Sequence, residues 1–354
     1  MTNKESAGDF GERKLVELII KKSEIFQTKY FDKKSLKSHI GDDAGVIAVG
    51  NKYLILSSDM LIEKHHFPKE MTYHQRGFKA VTVNLSDIAG MGAYPIGILI
   101  SLAIPKNLNI NKFNNLLDGI LEACSFYNTP LIGGDTNEGN ELIISGTGIG
   151  LSDDENIMMQ YGFKNKDLIA ISGEIGLSAI GFEILNKDSE KTKKRLIENG
   201  VSSEFIDKTI TKILSPRAKV EEGTLLKKSQ AVTSATDITD GLSTELHQIH
   251  NSSVKHDNKS LGFIIYEDKI PHINTIKKIA TLLKKDHLDL TFNFGEDFEL
   301  LFTIDPNKIN EFKEHFKDKE YHIIGKVNQT NKIQLSTANK KIKRIDLKGY
   351  EHFK

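Results

Sequence analysis

Six short acidic segments recur along this chain, and any fold it adopts must either keep them apart or gather them. They are Gly41-Asp42-Asp43, Ser57-Ser58-Asp59, Ser86-Asp87, Gly133-Gly134-Asp135-Thr136, Asp237-Ile238-Thr239-Asp240-Gly241 and Gly295-Glu296-Asp297. Nearly all stand beside Gly, Ser or Thr, and most adjoin apolar runs that read as strands. One Asp-Gly turn means nothing, because Asp beside Gly or Ser is common in turns and at helix N-caps for local hydrogen-bonding reasons. Six of one style, spread over about 250 residues, point to a single site where carboxylates at strand ends hold several metal ions against a polyphosphate.

Crowding supplies the physical argument. Asp42 and Asp43 are adjacent like charges, and Asp237 and Asp240 form a second acidic pair. Asp87 falls inside a helical pattern, where Asp is a poor helix former. Each close pair of like charges costs about 1–4 kcal/mol at effective dielectrics of 80 to 20, so such a nest calls for counter-ions. Hard oxygen ligands without Cys or His among them favour Mg²⁺, or else Ca²⁺ or Mn²⁺. EF-hand spacing is absent, and so are the Walker A pattern and the protein-kinase glycine loop. Gly133-Gly134, with no Cβ, suits close backbone approach to a phosphate or base.

Strand and helix signals interleave along the whole length, which gives an α/β or α+β class. Gly11 to Lys22 reads as an amphipathic helix with Leu15, Leu18 and Ile19 on its apolar face. Tyr53-Leu54-Ile55-Leu56 reads as a buried strand feeding the polar loop Ser57-Ser58-Asp59. A long helix follows from Tyr73 to Met91, with Phe78, Val81, Leu85 and Ile88 as its core stripe and Asn84, Asp87 and Met91 on another face. Pro95 opens an extended segment, Ile110 to Tyr127 a second helix, and Pro130 to Ile132 lead into the Gly133 to Thr136 turn. Glu141 to Leu151 reads as a strand with several glycines. A break is expected at 152–156, dividing the chain into domains at 1–152 and 153–354. In the second, Asp167 to Ser172 is the first strand, helices follow at 176–185, 203–214 and 217–228, and Lys187 to Arg195 reads as a solvated connection. Asp240-Gly241 opens a helix to about His250, and Phe298 to Ile304 alternates as a strand.

Bulk properties narrow the class. With 354 residues, the chain exceeds the size at which single cores stop growing. Lys+Arg and Asp+Glu balance at 48 each, which argues against nucleic acid or an anionic membrane as the main partner. No apolar run approaches the roughly 18–20 residues that span a bilayer, and Met1 to Gly11 has no signal-peptide core. The single cysteine, Cys124, excludes an intrachain disulfide and reads as a core residue. A cytoplasmic enzyme is the expectation.

Taken in order, these segments resemble the thiamine-monophosphate kinase family, within the superfamily that includes aminoimidazole ribonucleotide synthetase and selenophosphate synthetase. The resemblance rests on Gly41 to Ala44, Ser58-Asp59, His66-Phe67, Lys79 to Val81, Asn84 to Asp87, Met91 to Ala93, Gly133 to Thr136, Asp237 to Leu242, Gly295 to Leu300 and the closing Gly349-Tyr350-Glu351-His352-Phe353. It implies a two-domain α/β fold and a homodimer whose N-terminal sheets join in a barrel-like interface. It also implies ATP-dependent conversion of thiamine monophosphate to thiamine diphosphate, with Mg²⁺. By position, Asp42, Ser57, Ser58, Asp59, Asp87, Asp135, Asp237 and Asp240 are the implied metal ligands, with Asp59, Asp87 and Asp135 at the transferring phosphates. Gly134 and Thr239 are implied at the nucleotide, and His66, Glu296 and Tyr350 at the thiamine phosphate. From the residues alone, His66 reads as an ordinary loop histidine and Tyr350 as a packed terminal aromatic.

Two departures stand out. Gln160 occupies the nucleotide-contact position where the family often has Arg, so that contact loses its charge. Phe294 replaces the first of a glycine pair. Two competing readings remain: a sister ATP-dependent synthetase with another acceptor, and a non-catalytic nucleotide- or metal-binding regulator.

Overall fold

The computed structural model describes residues 6–30, 41–153, 155–186, 188–258 and 260–352. Asp154, Lys187 and Phe353, which carried expectations above, lie outside the described residues, as does the start of the N-terminal segment. The first sheet contains β1 (Gly45–Val49), β2 (Lys52–Ile62), β3 (Tyr94–Ile104), β4 (Leu131–Glu138) and β5 (Ile143–Ser152), in the order β1-β2-β5-β3-β4. All its pairings are antiparallel except β3 with β4. Its inner face packs on the helix Tyr73–Gly90, whose core stripe Phe78, Val81, Leu85 and Ile88 is buried as the periodicity predicts.

That packing explains the glycines of β5. A Cβ on Gly146 would lie 2.0 Å from the Asn84 side-chain nitrogen, and one on Gly148 2.9 Å from the Asn84 carbonyl oxygen. The helix can therefore press directly on the strand. Among the described residues nothing covers the outer face of the sheet, which carries the exposed Ile47, Val49, Met60, Tyr94, Ile96 and Leu99.

The second sheet contains β6 (Leu168–Ile171), β7 (Val232–Ile238), β8 (Gly262–Tyr266), β9 (Glu299–Ile304), β10 (His322–Asn328), β11 (Ile333–Ser336) and β12 (Ile342–Arg344), in the order β12-β11-β8-β10-β6-β9-β7. The strand β9 lies between β6 and β7 and is buried on both faces. Helices at Leu177–Leu185, Ser203–Leu214 and Val220–Ser229 fall where the sequence pattern put them.

Several expectations change. Ser57-Ser58-Asp59 and Gly133 to Thr136 are strand residues, not loop or turn, because β5 and β3 supply their ladder partners; tertiary pairing overrides local turn preference. The charged stretch after Lys187 contains a helix, Ser189–Glu198. Asp188 caps it by accepting from Lys191 N–H at 3.2 Å, and Leu196 is fully buried. The N-terminal helix runs longer, Glu12–Tyr30, and Leu18 and Ile19 on its apolar face are exposed. The helix after Gly241 begins at Leu242 and extends to Asp257.

Candidate active site

Strand alternation sorts the first group of acidic residues. In the β2–β5 register Ser57 stands opposite Gly148 and Asp59 opposite Gly146. Both therefore face the helix Tyr73–Gly90, and Ser58 faces away. Ser57 Oγ donates to Asp87 on that helix, and the Asp59 N–H donates to Asn84 Oδ1 at 3.1 Å. Ser58 Oγ instead donates to the Gly146 carbonyl at 2.9 Å.

The second domain delivers its own carboxylates to the same place. The end of β7 carries Thr236 and Asp237, and Thr236 Oγ1 donates to Asp43 Oδ1 at 2.6 Å. Asp237 is 3% exposed. Beyond it, the Thr239 and Asp240 N–H groups both donate to Glu245 Oε1, at 3.3 and 3.0 Å. Glu245 is buried and was not singled out from sequence. An acidic residue in the first turn of a helix is ordinary there, because it favours the helix dipole, so nothing local marks it. Asp43 joins the set as well, although the sequence distinguished it only as the neighbour of Asp42.

The electrostatics follow from this gathering. Burial first, then the charges of Asp59, Asp237 and Asp43, push the Asp87 carboxyl well above the usual carboxylate range. Burial, then Asp237 and Asp42, do the same to Asp43. Burial is the leading cause that raises Asp237 and Asp240 to about 7 and Asp42 to about 6. Asp59 and Glu245 are raised too, again by burial first.

Gln160 adjoins the first acidic pair. It is buried, and its amide nitrogen donates to Asp43 Oδ1 at 2.7 Å while its backbone N–H donates to Asp42 Oδ2 at 3.3 Å. The uncharged amide thus lies inside the acidic nest.

A second group assembles at the mouth of the nest. His66 Nδ1 accepts the Ile62 N–H at 2.9 Å, and its ring centroid lies 5.1 Å from that of His352. Tyr350 is 45% exposed, so it is not packed away as a terminal aromatic; its N–H donates to the Asp240 carbonyl at 3.1 Å. Its ring is 5.0 Å from His352. Glu296 forms an ion pair with Lys79 and donates its N–H to the Thr239 carbonyl at 2.7 Å. Phe294 packs on Phe182, with centroids 5.2 Å apart, so the bulk that replaces a small residue turns toward a helix of the second domain. Cys124 is buried, as a core residue should be.

Asp135 and Ser58 stand apart from the nest. Asp135 is exposed on the edge strand β4, opposite Ser101 of β3. The strands β5 and β3 intervene between β2 and β4, so the separation is about 14 Å at 4.7–4.9 Å per strand. Neighbouring Gly134 borders a cavity of about 370 Å³ between β4 and the helix Ile110–Phe126, walled by Ile100, Leu102, Phe113, Leu117 and Ile120.

The nest suits hard divalent cations by chemistry. Asp43 Oδ2 and Asp237 Oδ2 are buried with no hydrogen-bond partner. Among the described residues no three Asp, Glu, His or Cys side chains already converge as a shell for an ion. Mg²⁺ commonly takes only one or two carboxylates and completes its shell with water and substrate phosphates, so unpartnered oxygens in a nest of carboxylates fit it.

Comparisons with known proteins agree along the whole length. Residues 41–152 match the family described as AIR synthase related protein, N-terminal domain, and residues 165–337 match its C-terminal domain. The chain is 34% identical over 326 residues to the thiamine-monophosphate kinase of Pyrococcus abyssi, covering 92% of each. It is 34% identical to that of Buchnera aphidicola subsp. Schizaphis graminum, covering 91% of this chain and 94% of the relative. A solved structure described as AaThiL complexed with AMPPCP and TMP superposes with a TM-score of 0.79 at 26% identity, covering 99% of this chain and 100% of that one.

Proposed function

The chain belongs to the thiamine-monophosphate kinases of the AIR synthase related family, and from this premise we infer that it transfers the γ-phosphate of ATP to thiamine monophosphate, giving thiamine diphosphate and ADP. The observation that carries the reading is the nest formed by Asp43, Asp59, Asp87, Asp237 and Asp240, whose burial and mutual repulsion demand cations. A phosphate monoester is already largely a dianion near neutral pH, so the acceptor needs little deprotonation. Positioning and charge neutralisation do most of the work in phosphoryl transfer. An oxygen of the acceptor phosphate attacks the γ-phosphorus in line; a P–O bond forms there as the bond to the β,γ-bridging oxygen breaks, and ADP leaves with that electron pair.

The residue roles are our assignment. Asp59 and Asp87, with Ser57, face the transferring phosphates, and Asp42, Asp237 and Asp240 hold the far side. These carboxylates would hold magnesium ions, which would supply charge neutralisation for the phosphates. Gly134 and Thr239 contact the nucleotide, and the cavity beside Gly134 is large enough to receive a base. Gln160 acts on the nucleotide site indirectly, by orienting Asp42 and Asp43. His66, Glu296 and Tyr350 line the acceptor. The neutral His66 ring turns Nδ1 to the Ile62 backbone, 2.9 Å from its nitrogen and 3.2 Å from its carbonyl oxygen, which leaves Nε2 for the acceptor. Burial, then Lys79, lowers the His66 pKa and favours that neutral form.

Ser58 and Asp135 share the outer face of the first sheet, which is also apolar and uncovered. We take that face as the homodimer interface, in which a second copy completes the metal set at Asp135. Residues 1–152 then form the nucleotide, metal and dimerisation domain, and residues 153–354 the α/β domain that closes over it.

The direct test is incubation with ATP, Mg²⁺ and thiamine monophosphate, with a metal-free control. Metal-dependent, equimolar thiamine diphosphate and ADP are expected. ATP binding without thiamine diphosphate would move the assignment to another acceptor.

A further inference from the structure

Lys79 has no role in the assignments above, yet it is the most completely buried cation at the site. It lies on the helix Tyr73–Gly90, eight residues before Asp87, and is 0% exposed. Burying an ammonium is costly unless it is paired. Its partners come from both domains. Nζ donates to the His66 carbonyl at 2.7 Å, and it forms an ion pair with Glu296, 217 residues further along the chain. The ring of Phe67 lies 5.9 Å from the ammonium and closes one side.

Both partners are constrained elsewhere. Glu296 has φ +61°, a left-handed backbone unusual for a residue with a side chain. Its N–H is held by the Thr239 carbonyl at 2.7 Å, and its carbonyl accepts from Ser178 Oγ at 2.7 Å. His66 is tied to Ile62 at the end of β2. The backbone on each side is therefore set by its own domain, and the Lys79 ammonium is where the two are joined. Because it has no exposed surface, Lys79 cannot touch a substrate directly.

We propose that Lys79 is a positioning residue for the acceptor: one buried ammonium fixes His66 from the first domain and Glu296 from the second at the separation that thiamine monophosphate requires. The proposal rests on the assignment of these two residues to the acceptor site. It makes acceptor affinity, and not nucleotide affinity, the property that Lys79 controls. The ammonium holds the Glu296 carboxylate in one direction and ties it to the His66 backbone, so the spacing of the two acceptor-facing residues loses its fixed point when it is removed.

The test is Lys79→Met, nearly the same length without the charge, with KM measured separately for each substrate. Loss of a charged hydrogen bond predicts a rise of about tenfold or more in KM for thiamine monophosphate, with KM for ATP within about twofold. The double variant Lys79→Met/Glu296→Gln should be no worse than the poorer single variant, since both act through one contact. An unchanged acceptor KM, an equal rise for both substrates, or additive losses would overturn the proposal. Should Lys79→Met not fold, Lys79→Gln, which keeps a donor in the chamber, carries the same readouts with a smaller rise. Wild-type turnover separates the two levels: without it the functional assignment and this proposal fall together, and with it an unmoved acceptor KM removes only the proposal.

Discussion

Asp237 and Glu299 are carboxylates on adjacent strands, β7 and β9, and are 3% and 2% exposed. The charges around them differ. Glu299 forms an ion pair with Lys212 and lies 3.3 Å from Lys219, and Ser172 Oγ donates to it at 2.7 Å. Asp237 faces other acids and keeps an unpartnered buried oxygen. The contrast extends outward. Glu174 pairs with Lys208 and His272, and Glu267 with Lys277 and His287, whereas Asp43, Asp87 and Glu245 are pushed well above the usual carboxylate range by burial and by neighbouring acids such as Asp237. The second domain carries the counter-ions of its structural acids within the chain. Under the assignment proposed above, the counter-ions at the junction come from outside, which would separate carboxylates that build the protein from those that serve its chemistry.

The contrast can be broken in four places. The largest effect belongs to Asp87→Ala. Turnover should fall by about 10³-fold or more, since under the assignment above a carboxylate that would hold cations against the phosphates is lost. The metal-free protein should melt no lower than wild type, because one repulsive charge has gone. Turnover retained at saturating Mg²⁺, or a lowered melting temperature, would put Asp87 with the structural acids.

Next comes Glu299→Gln, which strands Lys212 and Lys219. A loss of about 3 kcal/mol in urea unfolding is expected, from breaking a buried ion pair at one end. A loss below about 1 kcal/mol would mean that the pairing adds little there.

The third test is pH. Asp237 and Asp240 have folded values of about 7, against ordinary values near 4. The folded state binds their protons more tightly, so stability falls as pH rises from about 4 to about 7. Glu267 runs the other way. Burial raises it, but Lys277, the Ala338 N–H and His287 outweigh that and hold it at about 2. Its contribution is therefore present above pH ~4.5 and lost as pH falls toward 2. Melting curves in chelator should show the first decline, and Mg²⁺ should remove it by binding only the folded state. A decline that persists with Mg²⁺ would place it outside the nest.

The smallest effect is expected at Asp135→Asn. The side chain is exposed on β4, so stability should stay within about 0.5 kcal/mol in urea unfolding. Under the dimer assignment, metal-dependent turnover should still fall. Unchanged turnover would remove Asp135 from the site.

The helices were the most legible part of the sequence. Ile110–Phe126 and Ser203–Leu214 follow directly from apolar spacing, because each buries one stripe and begins at a polar cap. The strands that carry the site were harder. Ser57 to Asp59 and Gly133 to Thr136 have turn-like composition, and only their ladder partners, distant in sequence, make them strands. The gathering of Asp42, Asp59, Asp87 and Asp237 was legible as a demand for counter-ions. Which side chains point together was not, since that depends on register. Lys79 belongs to the segments that carry the resemblance, but its burial was not legible: a lysine in a helix normally reaches solvent, and here the His66 carbonyl, Phe67 and Glu296 of the second domain enclose it.

The alternation of β2 restricts which lengths this chain can have. The strand is entered through a tight hairpin at Gly50-Asn51, where Val49 stands opposite Lys52. Adding or deleting one residue between that turn and Asp59 would rotate the strand by half a turn, sending Ser57 and Asp59 outward and Ser58 into the nest. Two residues would restore the facing. Insertions and deletions in this stretch of the family are thus expected to come in even numbers, a parity rule that sequences of relatives can test without a protein being made.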